Sequence, residues 1–227
     1  MSEVRAMSNA IELRCPAKLN LFLHIVGRRN DGYHLLQSVF QLIDWCDLLT
    51  LKPIPENEVR RINPISGVPP EQDLVVRAAQ LLKEYCKFDQ GVEISLEKNI
   101  PMGAGLGGGS ADGAFTITLL NQLFSLQLPQ QKLMDYALTL GSDCPFFILN
   151  SPAFATGRGE ILTPTKVNLD NYTIVVVNPG IAISTKMAFS LITPAPPTSH
   201  IPDIINLPIS EWKNELINDF EAPVFKQ

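Results

Sequence analysis

One stretch of the chain has residue types and spacing suited to anion chemistry. It reads Ile100-Pro101-Met102-Gly103-Ala104-Gly105-Leu106-Gly107-Gly108-Gly109-Ser110. Glycines lack the Cβ that would keep a phosphate away from the backbone. An alternating run, Val92-Glu93-Ile94-Ser95-Leu96, precedes it, and a helix-like run from Ala111 to about Phe124 follows. Strand, glycine loop and helix together aim the free N–H groups of a helix start at an anion. The plain alternative is a surface turn, the usual meaning of clustered glycines. Against it, the loop opens directly into a helical pattern, and Ser110 follows the glycines with no polar spacer.

The elements that must position this loop are readable in outline. Residues 1–10 read as a frayed lead. Ile11 to Cys15 alternates as a strand, Pro16-Ala17-Lys18 interrupts it, and Leu19 to Val26 forms a second strand. Gly27 to Gly32 is a turn, Tyr33 to Ile43 a loop leading into a strand, and Asp47 to Lys52 a further strand. Residues 53–72 are rich in proline and read as loop, with a short strand near Val59 to Ile62. Asp73 caps a helix whose apolar face includes Leu74, Val75, Ala78, Ala79 and Leu82. A short helix spans Gln130 to Leu140, and Phe146 to Leu149 reads as a buried strand. Beyond it, Phe154 to Leu162 suggests a hairpin. Tyr172 to Val177 is the strongest strand pattern, Ser184 to Leu191 a short helix, and Ser210 a cap for a helix over Glu211 to Ile217.

Bulk properties limit the function classes. The chain has 227 residues, 45% hydrophobic and 18% charged, with a formal net charge of −5. That length suits one large or two small domains. An acidic balance argues against a nucleic-acid partner. No apolar run is long enough for a membrane span, and the first ten residues carry no signal core, so a membrane partner is not expected and a reducing cytoplasm is the default. Cys15, Cys46, Cys86 and Cys144 show no CxxC spacing, which makes a zinc site or redox dithiol unexpected. No internal repeat is visible, and the oligomeric state is not legible.

The glycine loop is not of the Walker A type, because no glycine is followed by Lys and then Ser or Thr. Gly103 to Gly108 satisfies G-x-G-x-x-G, yet Glu97 to Met102 separates strand from glycines, and residues 120–130 hold no acid for a ribose. The protein-kinase loop lacks its companion signatures. What remains is apolar residues, a glycine run, Ser, then helix. Pro101 to Asp112 resembles the central phosphate loop of the GHMP kinase superfamily. Pro16 to Leu23, Arg28 to His34 and Leu140 to Phe147 point to a member acting on a cytidine-diphosphate substrate. Gly159-Glu160, Asn178-Pro179-Gly180 and Asn218 to Glu221 also fit.

This resemblance implies an α+β, two-domain GHMP kinase fold. Residues 1–155 would form the ATP-binding domain, with a mixed sheet and helices, and residues 156–227 part of a C-terminal α/β substrate domain. It implies ATP-dependent phosphorylation of the 2-hydroxyl of a cytidine-diphosphate methylerythritol in non-mevalonate isoprenoid synthesis. Asp143 would take the hydroxyl proton; as a bare residue it could equally be a turn Asp before Pro145. Lys18 would orient Asp143 and stabilise developing charge; alone it could be an edge-strand lysine. Asn20, Tyr33 and His34 would hold the cytidine, with Phe189 as a second aromatic wall. His34 alone could be an ordinary structural histidine. ATP would lie over Pro101, Met102, Gly103, Ala104, Gly105, Leu106, Gly107, Gly108, Gly109 and Ser110, near Lys98, which otherwise reads as a solvated lysine. Mg²⁺ is implied by the triphosphate and not by any ligand cluster. Lys18, Arg28, Arg29 and Lys98 would supply local positive charge.

The chain departs from the family pattern in two places. Ser110-Ala111-Asp112-Gly113 stands where relatives carry a second Ser, and Gly113 costs about 0.5–1 kcal/mol within a helix. Asp112 near a phosphate is unfavourable unless it faces away or helps to hold Mg²⁺. Relatives also carry a late glycine-rich motif that this sequence lacks, so the C-terminal domain is expected to be incomplete. Another GHMP small-molecule kinase, a nucleotide-binding protein without catalysis and a dinucleotide-dependent oxidoreductase stay as alternatives.

Overall fold

A computed structural model describes residues 4–6, 9–181, 183–197 and 200–226. The chain divides into two compact units. One holds residues 1–18, 42–102 and 106–150, the other residues 19–41, 103–105 and 151–227. Residues 19–41 and 103–105, which a linear division at 155 gives to the first domain, thus group with the C-terminal stretch.

The first unit is a sheet with helices. Its strands are β1 (Val4–Ala6), β2 (Ile11–Asn20) as far as Lys18, β4 (His34–Ile54) from Leu42 onward, β5 (Val59–Arg61) and β6 (Gly91–Glu97), in the order β1-β2-β4-β6-β5. Part of the expected frayed lead is therefore strand, because Val4–Ala6 pairs antiparallel with Ile11–Leu13. Residues 1–3, 7 and 8 of that lead lie outside the described residues. Pro16-Ala17-Lys18 does not interrupt β2; all three are buried and the strand runs through to Asn20. β6 lies antiparallel to the second half of β4, from Leu48↔Glu97 to Ile54↔Gly91.

Among the described residues four helices complete this unit: α1 (Leu74–Cys86), α2 (Gly108–Leu123), α3 (Gln130–Leu140) and α4 (Cys144–Leu149). Asp73 caps α1 as expected, accepting from the Val75 N–H at 3.1 Å. α2 is buried on nearly every side, from Ala111 through Leu120, as befits a central helix. Gly113 is explained by that packing: a Cβ there would lie 3.0 Å from Leu74 Cβ. The weak helix former is what lets α2 approach α1. Phe146 to Leu149, expected as a strand, belongs to α4. A short apolar run does not distinguish the two states. Pro145 in the first turn and left-handed Asn150, φ 52°, at the end settle it as helix.

The second unit contains β3 (His24–Arg28), the first half of β4, β7 (Ala153–Thr156) and β8 (Ile161–Pro164). Tyr33 to Ile43, expected as a loop leading into a strand, is strand from His34 onward. β3 pairs with His34–Gln37, and β7 pairs with Ser38–Phe40. The hairpin expected over 154–162 forms as β7–β8. α5 (Thr185–Ser190) is capped by Ser184, which accepts from Met187 N–H. α6 (Ile201–Ile204), a 3-10 turn over Ile209–Asn214 in place of the longer helix expected there, and α7 (Glu221–Val224) follow. The core holds Phe22, Val39, Ile201, Ile204, Trp212 and Leu216. Tyr172 to Val177 is not a strand: Val175 and Val177 are exposed, and the segment pairs with no strand among the described residues. β-propensity alone does not hold a strand without a partner.

Candidate active site

In the first unit, Lys18 is buried in β2 and its Nζ lies 3.0 Å from Asp143 Oδ2. A buried ammonium is costly unless it meets an anion. Asp143 occupies the residue before α4, yet its side chain makes no capping hydrogen bond. The carboxylate is therefore committed to Lys18 and not to helix α4, and it remains partly open to solvent, at 30%. A carboxylate held by a lysine and reachable from solvent can orient a hydroxyl and take its proton.

The phosphate loop is joined directly to this pair. The Lys18 N–H donates to the Leu106 carbonyl at 2.9 Å. Gly107, φ 70°, stands before α2 with no side-chain cap, so the first N–H groups of a 16-residue helix await an acceptor. Such a helix start can receive an anion. A Cβ on Gly107 would lie 2.9 Å from Lys18 Cγ and 3.0 Å from Phe147 Cζ. Gly107→Ala is therefore expected to push Lys18 aside and lower kcat about tenfold, by loss of charge-stabilising geometry. Steady-state kinetics beside a thermal melt checks this; unchanged kcat in the folded variant refutes the coupling.

Lys98 is not a solvated lysine. Its Nζ pairs with Asp47 and, at 2.8 Å, with Asp112. Burial pulls its pKa down, but the two carboxylates outweigh this and raise it. Asp47 also accepts from the Asn99 and Ile100 N–H groups at 2.6 and 2.8 Å. The stretch leading to the glycines is thus fastened to β4 by one carboxylate. Asp112 faces away from solvent, at 2% exposure. Burial pushes its pKa up to about 7, against the opposing pull of Lys98. The folded state consequently holds a proton that the unfolded chain loses near pH 4, and stability should fall as pH rises between about 4 and 7. Urea titrations across that range should show the slope in the parent and a flatter one in Asp112→Asn; equal slopes would remove Asp112 as the source. Ser110 is hydrogen-bonded to the Cys144 thiol, whose pKa burial drives to about 12. Pro101, Met102 and Ala104 are partly or fully exposed, Gly109 is exposed, and Gly108 packs against Ile100 and Lys98.

Gly103 to Gly105 belongs to the second unit. So do Asn20, Tyr33, His34 and Phe189. His34 and Phe189 stack with ring centroids 4.8 Å apart, and Phe189 meets the edge of Phe220 at 5.0 Å. Burial, then the nearby Arg28 charge, lowers the His34 pKa. A neutral imidazole can both donate to and accept from a pyrimidine edge. Tyr33 carries the Arg158 guanidinium over its ring at 5.1 Å. Asn20 ends β2 and is half-buried. Sequence reasoning missed Asp47 and Arg158, and gave Phe220 no role although it lies within the Asn218 to Glu221 motif. Only Arg158 had a local signal, as a cation between two glycines.

Comparison with known proteins identifies the family. The family described as GHMP kinases N terminal domain matches residues 73–151. A 4-diphosphocytidyl-2-C-methyl-D-erythritol kinase of Polynucleobacter necessarius subsp. necessarius is 59% identical over 177 residues, 78% of this chain and 60% of its own length. Its counterpart in Polynucleobacter asymbioticus is 54% identical over 213 residues, 94% of this chain and 71% of its own. The crystal structure of a 4-(cytidine 5'-diphospho)-2C-methyl-D-erythritol kinase superposes with TM-score 0.76 at 32% identity, covering 95% of this chain and 77% of that one. The chain thus spans less than two thirds of the first relative's length and somewhat more of the others. From relatives this similar, and from the fold they share with it, the chain belongs to the 4-diphosphocytidyl-2-C-methyl-D-erythritol kinase family of the GHMP kinases.

Proposed function

We propose that this chain carries the ATP-dependent phosphorylation of the 2-hydroxyl of 4-diphosphocytidyl-2-C-methyl-D-erythritol, in the cytoplasm. The single observation that carries the reading is the buried Lys18–Asp143 pair, hydrogen-bonded through the Lys18 backbone to the phosphate loop. In this reading Asp143 orients the acceptor hydroxyl and takes its proton as the new O–P bond forms and the bond from the γ-phosphorus to the ADP oxygen breaks, releasing ADP. Phosphoryl transfer asks for an oriented nucleophile more than a strong base. Lys18 holds Asp143 in place and offsets negative charge on the transferring group. The N-terminus of α2 holds the ATP phosphates, with Pro101 to Ser110 around them. Asn20, Tyr33, His34 and Phe189 take the cytidine.

Mg²⁺ is part of the reading, arriving with the triphosphate. Among the described residues no three His, Cys, Asp or Glu side chains gather as a metal site. In this reading the ion would be held chiefly by phosphate oxygens, and the Ser110 hydroxyl could add a protein oxygen. Bound there, the ion would neutralise charge on the phosphates. Asp112 does not fit as a ligand, being buried against Lys98. Lys98 acts by holding the approach to the loop, since both its partners are carboxylates.

The test is ATP-dependent turnover of the cytidine substrate by the purified 227-residue chain, beside a full-length relative. Turnover, with mevalonate and sugars unphosphorylated, is the expected result. A folded chain that binds an unreactive ATP analogue but shows no transfer would refute catalysis by this chain.

A further inference from the structure

The substrate of the proposed reaction carries a diphosphate beside its cytidine, and several expected cations are already engaged. Lys98 is held between Asp47 and Asp112. Arg29 pairs with Asp31 at 2.7 Å. Arg28 is turned back on its own loop, with Nε donating to the Gly32 carbonyl at 3.3 Å.

The second unit holds a cation better placed for that anion. Arg158 lies in the β7–β8 turn, and this turn is fastened beside the aromatic residues: the Leu36 N–H donates to the Gly157 carbonyl at 2.8 Å, two residues beyond His34. The guanidinium sits over the Tyr33 ring at 5.1 Å. Glu160 aligns it, accepting from the Arg158 backbone N–H and from Nε at 3.3 Å. Burial raises the Glu160 pKa, but hydrogen bonds from its own backbone and from Arg158, with the Arg158 charge, outweigh this and lower it. One edge of the guanidinium is thereby used and the Nη edge is left for a second anion. A planar fork of donors, pre-positioned on an aromatic ring, suits the paired oxygens of a phosphate.

We propose that Arg158 is the anion-binding residue of this half-site, holding the diphosphate of a cytidine diphosphate whose base lies at His34 and Phe189. The proposal rests on the functional reading above and adds a residue to it. Tyr33 then has two roles, as an aromatic wall and as the seat of the guanidinium.

Calorimetry on the 227-residue chain with cytidine and with CDP tests it without any turnover. The parent should bind CDP at least tenfold more tightly than cytidine, and added salt should shrink that ratio. Arg158→Met should weaken CDP about tenfold and leave cytidine unchanged. Arg158→Lys should recover part of the loss, as a point charge without the fork. An unchanged CDP-to-cytidine ratio in Arg158→Met overturns the proposal while leaving the kinase reading intact. A parent that binds neither ligand overturns both. Should Arg158→Met fail to fold, Arg158→Lys decides: full parental CDP affinity and salt dependence there refutes the guanidinium fork.

Discussion

Asp143→Asn should lower kcat by about 10³-fold or more while leaving nucleotide and cytidine binding within about threefold of the parent. The amide has the shape of the carboxylate but cannot take the hydroxyl proton, and a positioned base contributes about 10²–10⁴-fold. A second loss adds to the first. Lys18 Nζ, 3.0 Å from Asp143 Oδ2, would lose that carboxylate's charge, which in the proposed reaction holds it for the transferring group. Because Asp143 makes no capping hydrogen bond to α4, the substitution removes no helix cap. Stability should therefore change less than for a buried pair broken in the core, since Asp143 is partly solvated. Single-turnover kinetics with saturating substrates separates chemistry from binding. Retention of a tenth or more of parental kcat would remove Asp143 as the base.

The site was legible in the sequence where its parts are contiguous. Strand, glycine run and helix follow one another at 91–123, and local geometry alone builds them. Asp73 as a cap was legible for the same reason: its partner is two residues away. Lys18 and Asp143, 125 positions apart by their numbers, could be joined only through resemblance. Asp47 left no signal, because an acid beside an apolar run acquires meaning only when Asn99 and Ile100 are folded onto it. Phe220 likewise needs Phe189 beside it. The strand errors share one cause. Residues 34–43 are strand because β3 and β7 supply partners, and 172–177, which finds none among the described residues, is not. Pairing, which is non-local, overrides propensity in both directions. At 146–149 the local apolar run was ambiguous, and Pro145 was the overlooked helix-start signal.

Asp47→Ala should be the most destabilising single change near the site, by about 3–5 kcal/mol. The side chain is fully buried. Its loss breaks the pair with Lys98, and removing one member of a buried ion pair typically costs about 3–5 kcal/mol. The Asn99 and Ile100 N–H groups also lose their acceptor, and Ile100 is buried. An orphaned buried donor costs about 1–3 kcal/mol. These terms overlap, because Asp112 continues to hold Lys98 at 2.8 Å and the loop can relax toward water. Asp47→Asn separates them. It keeps a carbonyl oxygen for the two N–H groups and gives up only the charge, so it should lose roughly half as much. Urea denaturation of the three proteins gives both differences. The functional consequence follows from position: Asp47 holds residues 98–100, the approach to the phosphate loop, and does not touch the Lys18–Asp143 pair. Asp47→Asn should therefore raise the KM for ATP about tenfold with kcat within threefold of the parent. An Asp47→Ala protein within 1 kcal/mol of the parent, or an Asp47→Asn enzyme that loses kcat instead of ATP affinity, would show that this carboxylate is not what sets the loop.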